Sequence, residues 1–275
     1  GLMQDQPLLI SSILVHAARH HPTGEIVSKT DEGDLHRTTY RDIEPRCRRA
    51  AGMLRRLGVK PGDRVATLAW NGFRHLELYY GISGMGAICH TINPRLSPAD
   101  LAYIINHAED GVLFLDTTFA PLIAAVAKDV RASLRAVVFM TERAHMPDIV
   151  LPEGMDLLCY EELMAAADND YAWPSFEENT AAALCYTSGT TGKPKGVLYS
   201  HRSTVLHAFA SNMADVFGLR ASDRVLPVVP MFHVNAWGTP YSAPMVGASL
   251  VMPGRHLDGA SLTKLMNDER VTLSA

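Results

Sequence analysis

The sequence predicts an α/β protein of stacked αβ subdomains, in which largely parallel sheets are covered by helices on both faces. The first observation is that short apolar runs alternate with amphipathic segments along most of the chain. The second is that 275 residues with 47% hydrophobic and 20% charged side chains can bury a large core. The third is a glycine-rich loop at 187–196, directly after the apolar run 181–186. Because ligands of such folds bind beyond the carboxyl ends of strands, this loop is the first candidate for a functional site.

The elements follow in order from local patterns. Residues 13–20 predict a helix, 25–36 a hairpin around an Asp-Glu-Gly-Asp turn, and 40–57 a helix that begins with a capping box at Thr39 and Asp42. Further strands are predicted at 65–70, 87–92, 112–116, 136–140, 157–160, 225–229, 249–252 and 271–275. Further helices are predicted at 73–85, from Ser97 onward, and at 119–129, 161–167, 204–217, 236–245 and 259–268.

Composition excludes several classes of protein. The net charge of −4 provides no basic surface for nucleic acid. The four cysteines are far apart and form no CxxC pair, which predicts reduced core thiols in a cytoplasmic protein. Residues 225–254 carry no charged Asp, Glu, Lys or Arg, but their five prolines argue against a transmembrane helix and favour core and a cavity wall.

The loop has a composition suited to a polyphosphate. Residues 186–196, YTSGTTGKPKG, combine four aliphatic hydroxyls, three glycines and two lysines without a carboxylate. Glycines let the backbone expose its N–H groups, hydroxyls add short donors, and lysines add positive charge. The loop is not a Walker A motif, because Thr187 stands at the first glycine position and Pro194 follows the lysine. By composition alone, a polar hairpin loop between two strands is an equal alternative.

The run 186–197, YTSGTTGKPKGV, resembles the phosphate-binding signature of the acyl-adenylate-forming superfamily. Residues 230–237, PMFHVNAW, with Pro240 and Tyr241 behind them, resemble the next motif in bacterial medium- and long-chain fatty-acyl-CoA synthetases. Residues 64–80 and 87–96 are also similar to that branch. The resemblance implies an incomplete N-terminal domain of the acetyl-CoA synthetase-like fold. Residues 1–180 would form the first αβ subdomain with the N-terminal segment, and 181–275 the phosphate loop and the start of the second subdomain.

The resemblance also implies a reaction in two steps, with ATP, Mg²⁺ and coenzyme A. A fatty carboxylate attacks the α-phosphorus of ATP, and the thiol of coenzyme A then attacks the acyl carbon of the adenylate. A C-terminal lid domain with a further catalytic lysine would lie outside this chain, so the fragment alone is expected to be inactive.

Residue roles are carried over from the matching motif positions. His233 and Lys193 are expected to be catalytic, Thr187 to bind Mg²⁺, and Trp237 with His233 to form the acyl gate. The expected nucleotide-binding residues are Thr187, Ser188, Gly189, Thr190, Thr191, Gly192, Lys193, Lys195 and Val234.

Some assignments stay open at this stage. His233 and Trp237 are four residues apart and would share one face of a helix, but a core histidine and a packed tryptophan are the alternatives. His201 is expected to be a capping or surface residue. The acid could also be short, sulfur-containing or aryl, and a non-catalytic domain that binds nucleotide or acyl chains is a further alternative. A homodimer is possible.

Overall fold

The computed structural model of the protein describes residues 2–130, 132–187 and 192–275. The strands are β1 (Glu25–Lys29), β2 (Leu35–Thr39), β3 (Arg64–Leu68), β4 (Ile88–Thr91), β5 (Val112–Leu115), β6 (Ala136–Phe139), β7 (Asp156–Cys159), β8 (Ala181–Thr187), β9 (Lys195–Ser200), β10 (Arg224–Leu226), β11 (Ser249–Met252) and β12 (Leu273–Ser274). The helical segments are α1 (Ile10–His20), α2 (Tyr40–Arg56), α3 (Phe73–Gly84), α4 (Pro98–Ala108), α5 (Ala120–Val130), α6 (Tyr160–Ala166), α7 (His201–Ser211), α8 (Val234–Trp237), α9 (Thr239–Val246) and α10 (Gly259–Asp268).

Seven strands form one sheet in the order β7-β6-β5-β3-β4-β8-β9. All neighbours are parallel except β8 and β9, which are antiparallel. Every residue of β4, β5 and β6 is buried, and in β5 and β6 all four residues are also apolar, so these two strands read as continuous apolar runs. The predicted class, largely parallel sheets covered by helices, is confirmed.

A second sheet has the order β12-β10-β11-β1-β2, with only the β1–β2 hairpin antiparallel. It therefore combines two strands from the beginning of the chain with three from its end. Conversely, β8 and β9 follow residue 180 in sequence but belong to the seven-stranded sheet. The two sheets are interleaved along the chain, and the division at 180/181 stays a prediction.

The turn between β1 and β2 is held against the seven-stranded sheet by a largely buried ion pair and a hydrogen bond, both to Glu32. Arg74 of α3 donates to Glu32 Oε1 at 2.9 Å, to Glu161 Oε1 at 2.8 Å and to the carbonyl of Met140 at 3.0 Å. Thr141 donates to Glu32 Oε1 at 2.7 Å. Burial opposes the ionisation of Glu32, but the Thr141 hydrogen bond and the Arg74 charge outweigh it, so the pKa of Glu32 is lowered.

Several sequence expectations needed correction at element ends. The helix expected at 204–217 begins at His201 and ends at Ser211, and the one expected at 236–245 begins at Thr239. The capping box does not form, because the Thr39 hydroxyl donates to the Asp42 carboxylate at 2.6 Å instead of accepting from the backbone. All four cysteines are buried free thiols, as predicted. Across the described ranges, every helix is too short or too polar to pass through a membrane.

Candidate nucleotide and acyl site

The predicted phosphate loop connects β8 to β9 at an edge of the seven-stranded sheet. Thr187 ends β8 and lies opposite Lys195, the first residue of β9. The Thr187 side chain is exposed, and its hydroxyl is 3.5 Å from the Lys195 carbonyl, which is too long for a strong hydrogen bond. The predictions for Ser188, Gly189, Thr190 and Thr191 lie outside the described residues.

The residues that leave the loop are described from Gly192 onward. Gly192 has a φ of +146°, a conformation open to glycine and strained for other residues. The Lys193 ammonium lies 4.7 Å from the centroid of the Tyr103 ring on α4, a cation–π distance. Within the described part of the chain, neither Lys193 nor Lys195 pairs with a carboxylate. Both lysines are exposed, so their charges are accessible to an anion.

Tyr186 enters the loop and is anchored on the same helix. Its hydroxyl lies 2.6 Å from His107 Nδ1. Burial, together with the nearby Asp110 and Tyr103, raises the pKa of Tyr186 to about 12, so the phenol stays neutral and can donate. Tyr186 pairs across the hairpin with Gly196, where a Cβ would approach the tyrosine ring to 3.4 Å. The same Cβ would lie only 3.0 Å from Leu184 Cδ1, so glycine at position 196 mainly leaves room for the Leu184 side chain.

The second motif forms a left-handed turn instead of the expected right-handed helix. The φ angles of Val234 to Trp237 lie between +46° and +54°, and His233 before them is extended. The expectation that His233 and Trp237 share a right-handed helical face is therefore wrong. Left-handed backbone costs roughly 1–2 kcal/mol for each such residue, so packing around the turn must offset it.

Buried hydrogen bonds hold this turn. Asn235 is 7% exposed, and its Oδ1 accepts from the Tyr79 hydroxyl at 3.3 Å and from Cys185 Sγ at 3.6 Å. The single Tyr79 hydroxyl proton is shared between Asn235 Oδ1 and the carbonyl of Met231. Because Cys185 lies on β8 two residues before Thr187, Asn235 connects the phosphate-loop strand directly to the turn.

Asn71 holds the segment that leads into the turn. Its amide nitrogen donates to the carbonyls of Pro227 at 2.9 Å and Val229 at 3.1 Å, and its Oδ1 accepts from the Met231 N–H at 2.6 Å. Neither Asn71 nor Tyr79 was identified from the sequence. A buried asparagine or tyrosine has no local signature, because its partners lie more than 150 residues away in the chain.

A groove beside the turn has a cavity volume of about 430 Å³. Val234 and Trp237, which are 45% and 48% exposed, form part of its wall, whereas His233 is exposed outside it. The groove thus includes the predicted acyl gate residue Trp237 but not its predicted partner His233. The lining residues are Tyr199, Ser203, Thr204, His207, Val234, Asn235, Trp237, Gly238 and Tyr241.

His201 is not the surface residue that the sequence suggested. It is fully buried, and its Nδ1 accepts the N–H of Ile10 at 3.1 Å. Burial lowers the pKa of His201 to about 4, so the imidazole is neutral and connects α7 to α1. Its place after the loop and at the start of a helix predicts a capping or surface residue, whereas the contact with Ile10 has no local signature in the sequence.

The described residues offer Mg²⁺ only part of a ligand set. No group of three or more His, Cys, Asp and Glu side chains within ranges 2–130, 132–187 and 192–275 could hold a metal ion. Mg²⁺ usually keeps several waters and uses substrate phosphates with one or two protein oxygens. The exposed Thr187 hydroxyl fits such a single protein ligand.

Residues 14–275 match the family described as AMP-binding enzyme. Because this match covers nearly the whole chain, the protein belongs to the AMP-binding enzyme family.

Three similar proteins illustrate the relationship. The chain is 54% identical over 274 residues to a 3-methylmercaptopropionyl-CoA ligase of Ruegeria lacuscaerulensis, covering 100% of this chain and 50% of that protein. It is 52% identical over 274 residues to a medium-chain-fatty-acid–CoA ligase of Ectopseudomonas oleovorans, with the same coverage of 100% and 50%. The crystal structure of the anthranilate CoA ligase AuaEII in complex with anthranoyl-AMP matches with a TM-score of 0.84 at 25% identity, covering 99% of this chain and 51% of that one. The chain thus spans about half the length of the curated relatives it matches.

Proposed function

We propose that the protein to which this chain belongs is an AMP-forming acyl-CoA ligase that activates an apolar carboxylic acid. The observation that carries the proposal is the contact between Cys185 and Asn235, which joins the strand of the phosphate loop to the turn of the second motif. The proposed polyphosphate site and the groove that we assign to the acyl chain would thereby be adjacent. Membership of the AMP-binding family and the names of two relatives at about half identity support the same activity.

In the first step, an anionic carboxylate approaches an anionic polyphosphate, so catalysis is mainly alignment and charge stabilisation. The exposed ammoniums of Lys193 and Lys195 offset charge on the departing pyrophosphate. His233 orients the acyl carboxylate against the α-phosphate, and Val234 contacts the nucleotide. Thr187 would hold Mg²⁺ as one protein ligand, and the ion would supply positive charge to the phosphates.

In the second step, coenzyme A takes the acyl group and AMP leaves. We assign the groove beside Trp237 to the acyl chain, with the indole as its gate. Among the described residues, the groove wall contains no Asp, Glu, Lys or Arg. Besides the indole it includes the rings of Tyr199 and Tyr241 and the side chain of Val234, together with the polar residues Ser203, Thr204, His207 and Asn235. This lining favours an apolar tail and disfavours an amino acid, whose ammonium would need an acidic partner.

A medium- or long-chain fatty acid is the first candidate substrate, supported by the medium-chain ligase at 52% identity. A short sulfur-containing acid is the second candidate, because the 3-methylmercaptopropionyl-CoA ligase is 54% identical. The two acids differ mainly in the length of apolar chain that the groove must accept.

The test is exchange of labelled pyrophosphate into ATP by the full-length protein, with acetate, 3-(methylthio)propanoate, octanoate, palmitate and benzoate. A higher kcat/KM with octanoate or palmitate supports the fatty acid, and a higher value with the sulfur-containing acid supports the second candidate. Failure with every acid would reject the ligase proposal and favour a non-catalytic binding domain.

Three further expectations belong to this proposal. Residues 1–275 alone are expected to be inactive in the same assay. A cytoplasmic location is to be checked by cell fractionation, and a homodimer by sedimentation of the full-length protein.

A further inference from the structure

Both ends of the phosphate loop contact one face of α4. Before the loop, the Tyr186 hydroxyl lies 2.6 Å from His107 Nδ1. After the loop, the Lys193 ammonium lies 4.7 Å from the centroid of the Tyr103 ring. Tyr103 and His107 are four residues apart on α4, and their ring centroids are 5.4 Å apart. They therefore form one continuous surface on which the two ends of the loop lie.

Helix α4 is a firm support for these contacts. Ser97 caps it by accepting the Asp100 N–H at 3.1 Å, and Pro98 occupies its first turn. Its opposite face is buried in the core through Leu101, Ile104 and Ile105. A helix fixed at its start and along its buried face can hold a neighbouring loop in place.

The contacts are also weak enough to be compatible with nucleotide binding. A cation–π contact of a solvent-exposed lysine contributes little compared with an ammonium on a polyphosphate. Lys193 can therefore leave the Tyr103 ring for a phosphate at small cost. Restraint of Tyr186 and Lys193 before binding lowers the conformational entropy that binding must remove from these two residues, and this improves affinity.

We propose that Tyr103 and His107 are positioning residues for MgATP, which hold the two ends of the phosphate loop on α4 ready for the polyphosphate. This inference rests on the proposed function. Tyr103 and His107 lie outside both sequence motifs and do not line the acyl groove. We therefore expect them to affect the binding of the nucleotide and not the binding of the acid.

The first test compares matched variants in pyrophosphate exchange by the full-length protein. Tyr103→Leu removes the aromatic face and should raise the KM for MgATP about two- to fivefold, whereas Tyr103→Phe keeps the ring and should match the wild type. His107→Leu should raise the KM for MgATP about two- to tenfold. His107→Asn should have a KM close to that of the wild type, because the amide oxygen of asparagine can accept from the Tyr186 hydroxyl. The KM for the acid should not change in any of the four variants.

A second test needs no catalytic activity. Trypsin can cut the exposed Lys195–Gly196 bond, and release of the loop ends should make this cut about two- to fivefold faster in Tyr103→Leu than in Tyr103→Phe, without nucleotide. Melting temperatures within a degree or so of the wild type would confirm that the variants are folded.

The inference is overturned if both leucine variants equal the wild type in KM for MgATP and in cleavage rate. It is also overturned if the KM for the acid rises as much as that for MgATP, since the effect would then be general damage. If the wild-type protein exchanges pyrophosphate with no acid, the proposed function fails, and the trypsin comparison alone decides whether α4 holds the loop.

Discussion

Asn71→Ala should both destabilise the protein and disturb the turn that carries the second motif. Asn71 is 2% exposed and makes three hydrogen bonds to the segment that precedes the turn. Truncation leaves the carbonyls of Pro227 and Val229 without this donor, and the Met231 N–H without its acceptor. At roughly 1 kcal/mol of net stability for each bond, the free energy of unfolding should fall by about 3 kcal/mol.

Urea denaturation of the full-length protein measures this loss of stability. Asn267→Ala is the matched control, because Asn267 is exposed on α10 and should change the free energy of unfolding by less than about 0.5 kcal/mol. Hydrogen exchange gives a local measurement. The Met231 amide, which donates to Asn71 Oδ1 at 2.6 Å, should exchange about tenfold faster in the variant.

The functional consequence of Asn71→Ala should appear in the KM values of both substrates. Asn71 supports the segment before Val234, which we assign to the nucleotide, and Trp237, which we assign to the acid, so we expect a higher KM for MgATP as well as for the acid. The reasoning is refuted if Asn71→Ala matches Asn267→Ala in stability and leaves exchange of the Met231 amide unchanged.

Three other predictions concern single side chains. Burial, and after it the Asp31 charge, raises the pKa of Asp116 to about 8. The contribution of Asp116 to the stability of the folded protein is therefore full below the ordinary pKa of 3.8 and is lost as pH rises through about 8. Asp116→Asn should reduce the fall in melting temperature between about pH 6 and pH 9, and an unchanged fall would contradict the raised pKa. Lys193→Ala should lower kcat for pyrophosphate exchange about tenfold or more while the KM for the acid stays constant, and Lys128→Ala on α5 is the exposed-lysine control. Trp237→Ala should open the groove and raise kcat/KM for palmitate relative to octanoate; an unchanged ratio would remove the indole from the acyl gate.

Much of the fold could be predicted from the sequence because its signals are local. The apolar runs at 112–116 and 136–140 predicted strands that the structure places at Val112–Leu115 and Ala136–Phe139. Strands buried on both faces are mostly apolar along their whole length, so their signal does not depend on their neighbours. The hairpin around residues 31–34 was likewise recognisable from its turn residues.

The shape of the second motif could not be predicted in this way. Val234 to Trp237 contain no glycine, yet all four have positive φ. Right-handed helical spacing was therefore the reasonable expectation, and it was wrong. The turn is held by Asn235 with Tyr79, which is 156 residues away in the chain, and such a contact leaves no trace in a local window.

The sequence by itself predicted which residues form the candidate phosphate loop, because glycines, hydroxyls and lysines express their chemistry within a few positions. Only the tertiary structure decided what surrounds that loop. It placed β8 beside β4, brought Cys185 to Asn235, and set Tyr103 and His107 of α4 under the two loop ends. The physical reason is that parallel strands join segments distant in sequence, so the residues that position a loop at their carboxyl ends come from elements with no local relation to it.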